Sequence, residues 1–360
     1  MRFRNISNIA RIVYGPGSVA QLAEILDPVR GERNGNMVFL VDDYFEDRTP
    51  PGMIPARGDD LVRYIDASHE EPKTDQVDRI RDDILADQGV PSGIVGIGGG
   101  SIMDLAKAVA LMVTNEGPSA SYQGLDLIKR AGVYHCGVPT ISGTGAECST
   151  TAVLTGPEKK LGLKCRWTPF DQIVLDPTLA ATVPTDQWFY TGMDCYIHCI
   201  ESATGRHYNT FSQAYGDQAL ELCREVFLAP EAGQSRVNDE RLMVASLFGG
   251  MSLTYSEVGV CHALSYGLSK VLGMRHGLAN CTAFNHLDDY YPRGVDDFRA
   301  MVARHRVPLP QGLAAGWTDE QLTAMAHVAY ALPHMWDHAL GPDWQERITV
   351  DDIRALYCRM

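Results

Sequence analysis

The chain has 360 residues, 45% hydrophobic and 21% charged, an ordinary globular make-up with room for two domains. A formal net charge of −14 at pH 7 disfavours nucleic acid as a partner. No stretch reaches the apolar length of a membrane span, and Met1-Arg-Phe-Arg-Asn-Ile6 lacks the apolar region of a signal peptide. Nine scattered cysteines without a Cys-x-x-Cys pair argue against a zinc ribbon or disulfide framework and for a reducing cytoplasm.

In chain order, Met37-Val-Phe-Leu-Val-Asp42 is a short apolar run ending in acid and reads as a buried strand. Asp42 is either a loop carboxylate or an acceptor for the adenine-ribose hydroxyls of NAD, where it would repel the extra phosphate of NADP. Asp43 competes for that role. Asp60–Asp66 reads as a strand and Val77–Gln88 as a helix. Gly93-Ile-Val-Gly-Ile-Gly98-Gly99-Gly100-Ser101 then runs into Ile102-Met-Asp104-Leu-Ala-Lys, giving strand, glycine turn and helix N-terminus. Without Cβ atoms such a turn can approach a pyrophosphate, and the helix start offers free N–H groups and the positive dipole end. Glycine turns of this sort also occur without ligand, but the flanking strand and helix favour phosphate binding.

A second strand and turn, Cys136-Gly-Val-Pro139-Thr140-Ile-Ser142-Gly143-Thr144-Gly145-Ala-Glu147-Cys-Ser149, suits the nicotinamide side of a dinucleotide, or is simply a polar turn. Thr151–Thr155 and Lys160–Lys164, parted by Gly156-Pro157, predict a hairpin. Asp171–Asp176 is the last strand. Alternating strands and helices predict a largely parallel sheet in a Rossmann-like α/β domain over 1–180, with ligands at the strand C-terminal ends.

From Thr185 strand signals stop, and 181–360 reads as an all-α domain. Thr185 is a candidate N-cap for the helix carrying Gly192-Met-Asp194-Cys-Tyr-Ile-His198. Helices follow near Ser212–Val226, Glu240–Ser256 and His262–Lys270, with Ala229–Asn238 a polar loop. Gly273 ends the third, and His276-Gly277 opens another element. Thr318-Asp-Glu-Gln321 resembles a capping box, and Thr349 caps the final short helix.

Asp194 and His198 lie one turn apart on one helix face. With His262 and His276, separated by a helix and a turn, they form a one-Asp, three-His set suited to Fe(II) or Zn(II) with a position open for a substrate oxygen. His334 and His338, also four apart, lack a third partner and read as surface or packing residues. Cys195 and Cys199 read as core.

These residues together resemble the iron-containing (group III) alcohol dehydrogenases, whose fold is shared with dehydroquinate synthase. The landmarks are Gly98-Gly-Gly-Ser101-x-x-Asp104, Pro139-Thr140-x-x-Gly143-Thr144-Gly145-x-Glu147, Asp176-Pro177, Asp194-x-x-x-His198, His262 and His276-Gly277. The resemblance implies metal ligands at Asp194, His198, His262 and His276. It implies NAD contacts at Asp42, Gly99, Gly100, Ser101, Asp104, Thr140, Thr144, Ser149 and Lys160, and a homodimer. A narrower likeness, in Thr185–Cys199, Tyr122–Lys129 and Val260–Leu268, is to bacterial 3-deoxy-D-manno-octulosonate (Kdo) 8-oxidases. It implies oxidation of the C8 alcohol of this acidic eight-carbon sugar in lipopolysaccharide modification, with a pyridoxal-phosphate (PLP) aminotransferase consuming the aldehyde. Many family members carry a histidine four residues after the third ligand; here Tyr266 stands there, so a histidine proton relay is not carried over. Arg275 and Arg206 are candidates for the sugar carboxylate.

The implied chemistry is metal-assisted hydride transfer to NAD. Rivals are an NAD-dependent dehydrogenase of another polyol, a dehydroquinate synthase-type cyclase, and a non-catalytic metal- or nucleotide-binding protein. Asp194 with three histidines speaks against the cyclase, which usually presents a glutamate and two histidines.

Overall fold

The computed structural model describes residues 6–31, 35–67 and 71–360. Residues 1–5, part of the segment assessed above for a leader, lie outside the described residues. The chain divides into two units: residues 1–141 with 146–181, and residues 142–145 with 182–360.

The first unit is built on a six-stranded, wholly parallel sheet. Its strands are β1 (Arg11–Tyr14), β2 (Met37–Asp42), β3 (Leu61–Ile65), β4 (Gly93–Gly98), β6 (Tyr134–Pro139) and β9 (Gln172–Leu175), ordered β1-β9-β6-β4-β2-β3. A smaller sheet joins β5 (Gly124–Leu125), β8 (Lys160–Lys164) and β7 (Thr151–Thr155) in the order β5-β8-β7. β7 and β8 form the predicted antiparallel hairpin, from Thr151 opposite Lys164 to Thr155 opposite Lys160.

Both faces of the central strands are covered, as a parallel sheet requires. On one face Phe39, Val41, Val95, Ile97 and Val138 pack with Leu22, Ile25 and Leu26 of helix α1 (Leu22–Arg30). Among the described residues, the other α-helices of this unit are α2 (Thr74–Gln88) and α3 (Gly100–Met112). A Cβ on Gly96 of β4 would come 2.6 Å from the Ala106 Cβ of α3. Glycine there sets how closely that helix lies on the sheet.

Neither β1 nor α1 stands out in the sequence. β1 is an edge strand whose Ile12 and Tyr14 are exposed, so it lacks an inside-outside pattern. Pro28 lies inside α1 and hides its helical spacing. The α2 helix begins three residues before the predicted Val77, because Thr74 is already helical and buried.

The chain runs from β2 outward to β3, then back past β2 to β4. The sheet therefore reverses its winding between β2 and β4, and at such a switch point the strand C-termini leave a crevice. Asp42 ends one of these strands and the Gly98 turn ends the other.

The described part of the second unit is helical. Its helices are α4 (Thr185–Thr204), α5 (Thr210–Phe227), α6 (Arg236–Tyr255), α7 (Val260–Leu272), α8 (His276–Phe284), α9 (Pro292–His305), α10 (Asp319–Tyr330), α11 (Pro333–Leu340), α12 (Trp344–Arg347) and α13 (Val350–Tyr357). None of the described helices is long and apolar enough to cross a membrane. The Thr318–Gln321 and Thr349–Asp352 capping boxes are both formed. Thr185 is not the N-cap of α4: the cap position is Pro184, which has no hydroxyl, and Thr185 is the first helical residue. The polar loop ends sooner than predicted, since the Ser235 side chain accepts from Asn238 N–H and starts α6 at Arg236.

Helix α4 packs closely because it carries small residues where neighbours cross. A Cβ on Gly192 would come 2.5 Å from the Phe227 ring, and one on Gly249 of α6 would come 2.7 Å from the Cys195 sulfur. The Ser142–Gly145 turn belongs to this unit. Gly143 has φ of 144°, and a Cβ there would lie 1.7 Å from the Thr191 carbonyl oxygen of α4.

Candidate functional site

In the helical unit, α4 projects Asp194 and His198 from one face, α7 brings His262 from its first turn, and α8 opens on His276. Gly273 makes this possible: its left-handed φ of 68° ends α7 and lets the chain reverse into α8. All three imidazoles turn Nε2 toward Asp194. His198 and His262 lie 3.4 Å and 3.3 Å from its Oδ1, and His276 lies 3.6 Å from its Oδ2. The His198 and His262 rings stack with centroids 4.6 Å apart. Asp194, His262 and His276 each offer one donor atom within a 4.8 Å group that could hold a metal ion, and His198 joins it through the shared carboxylate.

Asp194 is fully buried, and His276 is the most accessible of the four, with 27% of its side chain exposed. Burial opposes the Asp194 charge, but the three histidines outweigh it and hold the carboxyl far below its usual range. Burial pushes His198 down to about 4, only partly offset by Asp194. For His262 burial acts the same way, yet the Glu201 and Asp194 carboxylates win and raise it to about 9. The Asp194 Oδ2 atom, though buried, has no hydrogen-bond partner among the described residues. A buried, charged oxygen facing imidazole nitrogens fits a divalent cation, and this donor set suits iron or zinc.

Two neighbours are absent from the sequence reading. The Asn280 side-chain amide donates to Asp194 Oδ1 at 2.6 Å and lies 3.3 Å and 3.2 Å from the Nε2 atoms of His262 and His276. Glu201 lies 2.5 Å from His262 Nδ1. It stands three residues beyond His198 and seven beyond Asp194, a spacing that keeps all three on one helical face. That spacing was the signal available in the sequence.

In the sheet unit, Asp42 and the glycine turn meet: a Cβ on Gly98 would come 3.1 Å from the Asp42 Cβ. Asp42 also accepts the Tyr44 N–H at 3.1 Å, and burial raises its pKa. Asp43 is exposed in the following turn, so strand pairing favours Asp42 of the two. Gly99 and Gly100 lead into α3 with no side-chain cap, leaving the first N–H groups of the helix uncapped by side chains. Glycine at 98 answers to packing as well as to any ligand, since its Cβ would meet Ile102 at 2.5 Å.

Asp104, one turn into the helix, is pushed up to about 7 by burial, against the pull of Lys107. Thr140 is buried and donates its N–H to the Gly98 carbonyl at 3.0 Å, keeping the two turns together. Ser149 receives the Lys107 ammonium at 3.0 Å and donates to the Thr151 carbonyl, while Lys160 pairs with Glu71 at 2.5 Å. Both are held in internal polar contacts. Thr144 sits in the turn that belongs with the helical unit.

The sequence pattern of iron-containing alcohol dehydrogenases matches residues 10–177, and the family's C-terminal pattern matches 188–307. The chain belongs to the iron-containing alcohol dehydrogenase family. That makes it an oxidoreductase acting on alcohols, in a family that uses NAD and a divalent metal. It is 27% identical to sulfoacetaldehyde reductase from Bilophila wadsworthia (strain 3_1_6), over 75% of this chain and 70% of that one. It is 30% identical to NAD-dependent methanol dehydrogenase from Bacillus methanolicus, over 54% of this chain and 52% of that one. The sulfoacetaldehyde reductase structure from Bifidobacterium kashiwanohense, in complex with NAD+, shares the fold with a TM-score of 0.80 at 20% identity, covering 99% and 98% of the two chains.

Other predicted residues fall elsewhere. His338 is buried, its Nε2 2.9 Å from the Glu201 carbonyl, and His334 is exposed, so this pair is packing and surface as expected. Arg206 is ion-paired with Asp337. Arg275 is exposed beside His276 and donates to Gln187 at 3.2 Å. Tyr266 packs edge-on to the His276 ring at 5.9 Å.

Proposed function

We propose that this chain is an NAD- and metal-dependent oxidoreductase that oxidises the C8 alcohol of Kdo to the aldehyde. The convergence of three imidazole Nε2 atoms on the buried Asp194 supports the metal-dependent part of this reading. Asp194, His198, His262 and His276 are assigned to one Fe2+ or Zn2+. Asp42, Gly99, Gly100, Ser101, Asp104, Thr140, Thr144, Ser149 and Lys160 are assigned to NAD. When bound, the cation supplies Lewis acidity toward an alcohol oxygen and the nicotinamide supplies the hydride acceptor.

The chain's own residues do the rest. Burial of Asp194, His198 and His262 keeps water from these ligands, and the more open His276 is the ligand an incoming alcohol would meet. Asp42 disfavours the extra phosphate of NADP by like charge. Arg275 is the better candidate for the sugar carboxylate, since Arg206 is committed to Asp337. The sugar assignment is supported by the Kdo 8-oxidase-like stretches Thr185–Cys199, Tyr122–Lys129 and Val260–Leu268. In that setting the enzyme is a cytoplasmic homodimer, and a PLP aminotransferase takes up the aldehyde. A second reading, favoured by the reductase relatives, is reduction of a small aldehyde by NADH.

Metal-loaded protein offered NAD+ with Kdo, methanol or 1,3-propanediol, or NADH with sulfoacetaldehyde, separates these by NADH absorbance and aldehyde trapping. Kdo-dependent aldehyde with matching NADH is expected. Turnover of the small substrates with none of Kdo would overturn the sugar assignment. Phosphate release from a sugar phosphate would favour cyclase chemistry.

A further inference from the structure

Glu201 is a buried carboxylate in the last turn of α4, where the negative end of the helix dipole opposes its charge. The hydrogen bonds that compensate it come from other elements. Its Oε2 lies 2.5 Å from His262 Nδ1. Its Oε1 accepts the Cys261 N–H at 2.6 Å and the Tyr291 hydroxyl at 3.1 Å. Tyr291 is itself held by the Val260 N–H at 3.1 Å, and the Glu201 carbonyl oxygen lies 2.9 Å from His338 Nε2. Space for the arrangement is kept by Gly259: a Cβ there would lie 2.8 Å from the Tyr291 oxygen and 3.2 Å from Glu201 Oε1. The carboxylate is therefore fixed on both oxygens, with one against Nδ1 of a histidine whose other nitrogen faces Asp194.

We infer that Glu201 is a positioning residue of the metal centre: it fixes His262 as the tautomer protonated on Nδ1, presents Nε2 to the cation, and supplies the second buried negative charge. This rests on the metal-site assignment made under Proposed function. The charge count supports it. Three neutral imidazoles and Asp194 bring one negative charge to a dication, leaving a net positive charge in a buried place. Glu201 brings the sum to neutrality without occupying a ligand position, and buried ions persist where they are neutralised and hydrogen-bonded. Carboxylates that hold a ligating histidine from its far nitrogen govern metal affinity as well as ring orientation. Asp194, His198 and Glu201 thus make one helical face carry two ligands and the support of a third.

The test is zinc binding by competition with a chromogenic chelator, using full-length protein stripped of metal, as wild type and Glu201→Gln. Glutamine keeps the size and one acceptor oxygen but removes the charge, so zinc affinity is expected to fall about 10- to 100-fold. Unfolding of the metal-free variant measures whatever stability the lost buried charge costs. The further stabilisation on adding zinc should shrink as well, whereas a purely structural role would leave that zinc increment unchanged. A second measurement needs no variant to fold. In zinc-loaded wild-type protein labelled with 15N-histidine, His262 should carry its proton on Nδ1, slow to exchange with water. Unchanged zinc affinity in Glu201→Gln, or a proton on His262 Nε2, would overturn the inference. Wild-type protein that binds no zinc at all would refute the metal-site assignment itself, and the inference with it.

Discussion

Replacing Asp194 by asparagine tests the proposed metal centre with the least steric change. The carboxylate is fully buried, faces three imidazole nitrogens at 3.3 Å to 3.6 Å, and accepts the Asn280 amide at 2.6 Å. An amide of the same shape keeps one oxygen but removes the charge and turns an NH2 toward nitrogens that have no lone pair to spare once they act as ligands. Removing one partner from a buried charge pair costs roughly 3–5 kcal/mol. At about 1.4 kcal/mol per decade, bound metal should be held roughly 100- to 4,000-fold less tightly. Metal content after gel filtration, measured by plasma mass spectrometry, should fall with alcohol-dependent NADH formation. NAD affinity, read by fluorescence quenching, should stay near wild type, because Asp42 and the Gly98 turn lie in the other unit. A variant that keeps its metal and its turnover would refute the assignment of Asp194.

Gly98→Ala places a methyl 2.5 Å from Ile102 Cγ1, so α3 must shift from β4. A loss of about 1–3 kcal/mol in urea unfolding is expected, together with weaker NAD binding, and unchanged NAD affinity would separate the turn from the cofactor. Arg30 and Asp60 form a buried bidentate pair at 2.7 Å and 2.5 Å, and Asp60 also accepts the N–H groups of Met37 and Arg57. Burial alone would raise the Asp60 pKa, but Arg30 and those N–H groups hold it below its usual value. Its contribution is therefore present above the unfolded pKa of about 3.9 and lost as pH falls through the lower folded value. Asp60→Asn should cost roughly 3–5 kcal/mol at neutral pH, with the gap to wild type narrowing in acid below about pH 4. A gap that widened in acid would contradict this sign. Thr318→Ala removes the side-chain acceptor of the Gln321 N–H and should cost about 1 kcal/mol in unfolding while leaving metal content and turnover alone.

The amino-acid sequence determined those features whose causes lie within a turn or two of chain. The β4-turn-α3 unit, the β7–β8 hairpin, the capping boxes at Thr318 and Thr349, and the shared face of Asp194 and His198 all follow from spacing, propensity and the hydrogen bonds of helix ends. Only the tertiary structure decided the rest, because the deciding contacts join residues far apart in the chain. Pairing of β2 with β4 brings Asp42 rather than Asp43 beside the Gly98 turn. Contact with α4 and α6 draws the Ser142–Gly145 turn into the helical unit. The edge strand β1 stays largely exposed even in the fold, and only its pairing with β9 marks it as a strand. Glu201 reads as one more helical acid until the fold carries His262, 61 residues later, against its carboxylate.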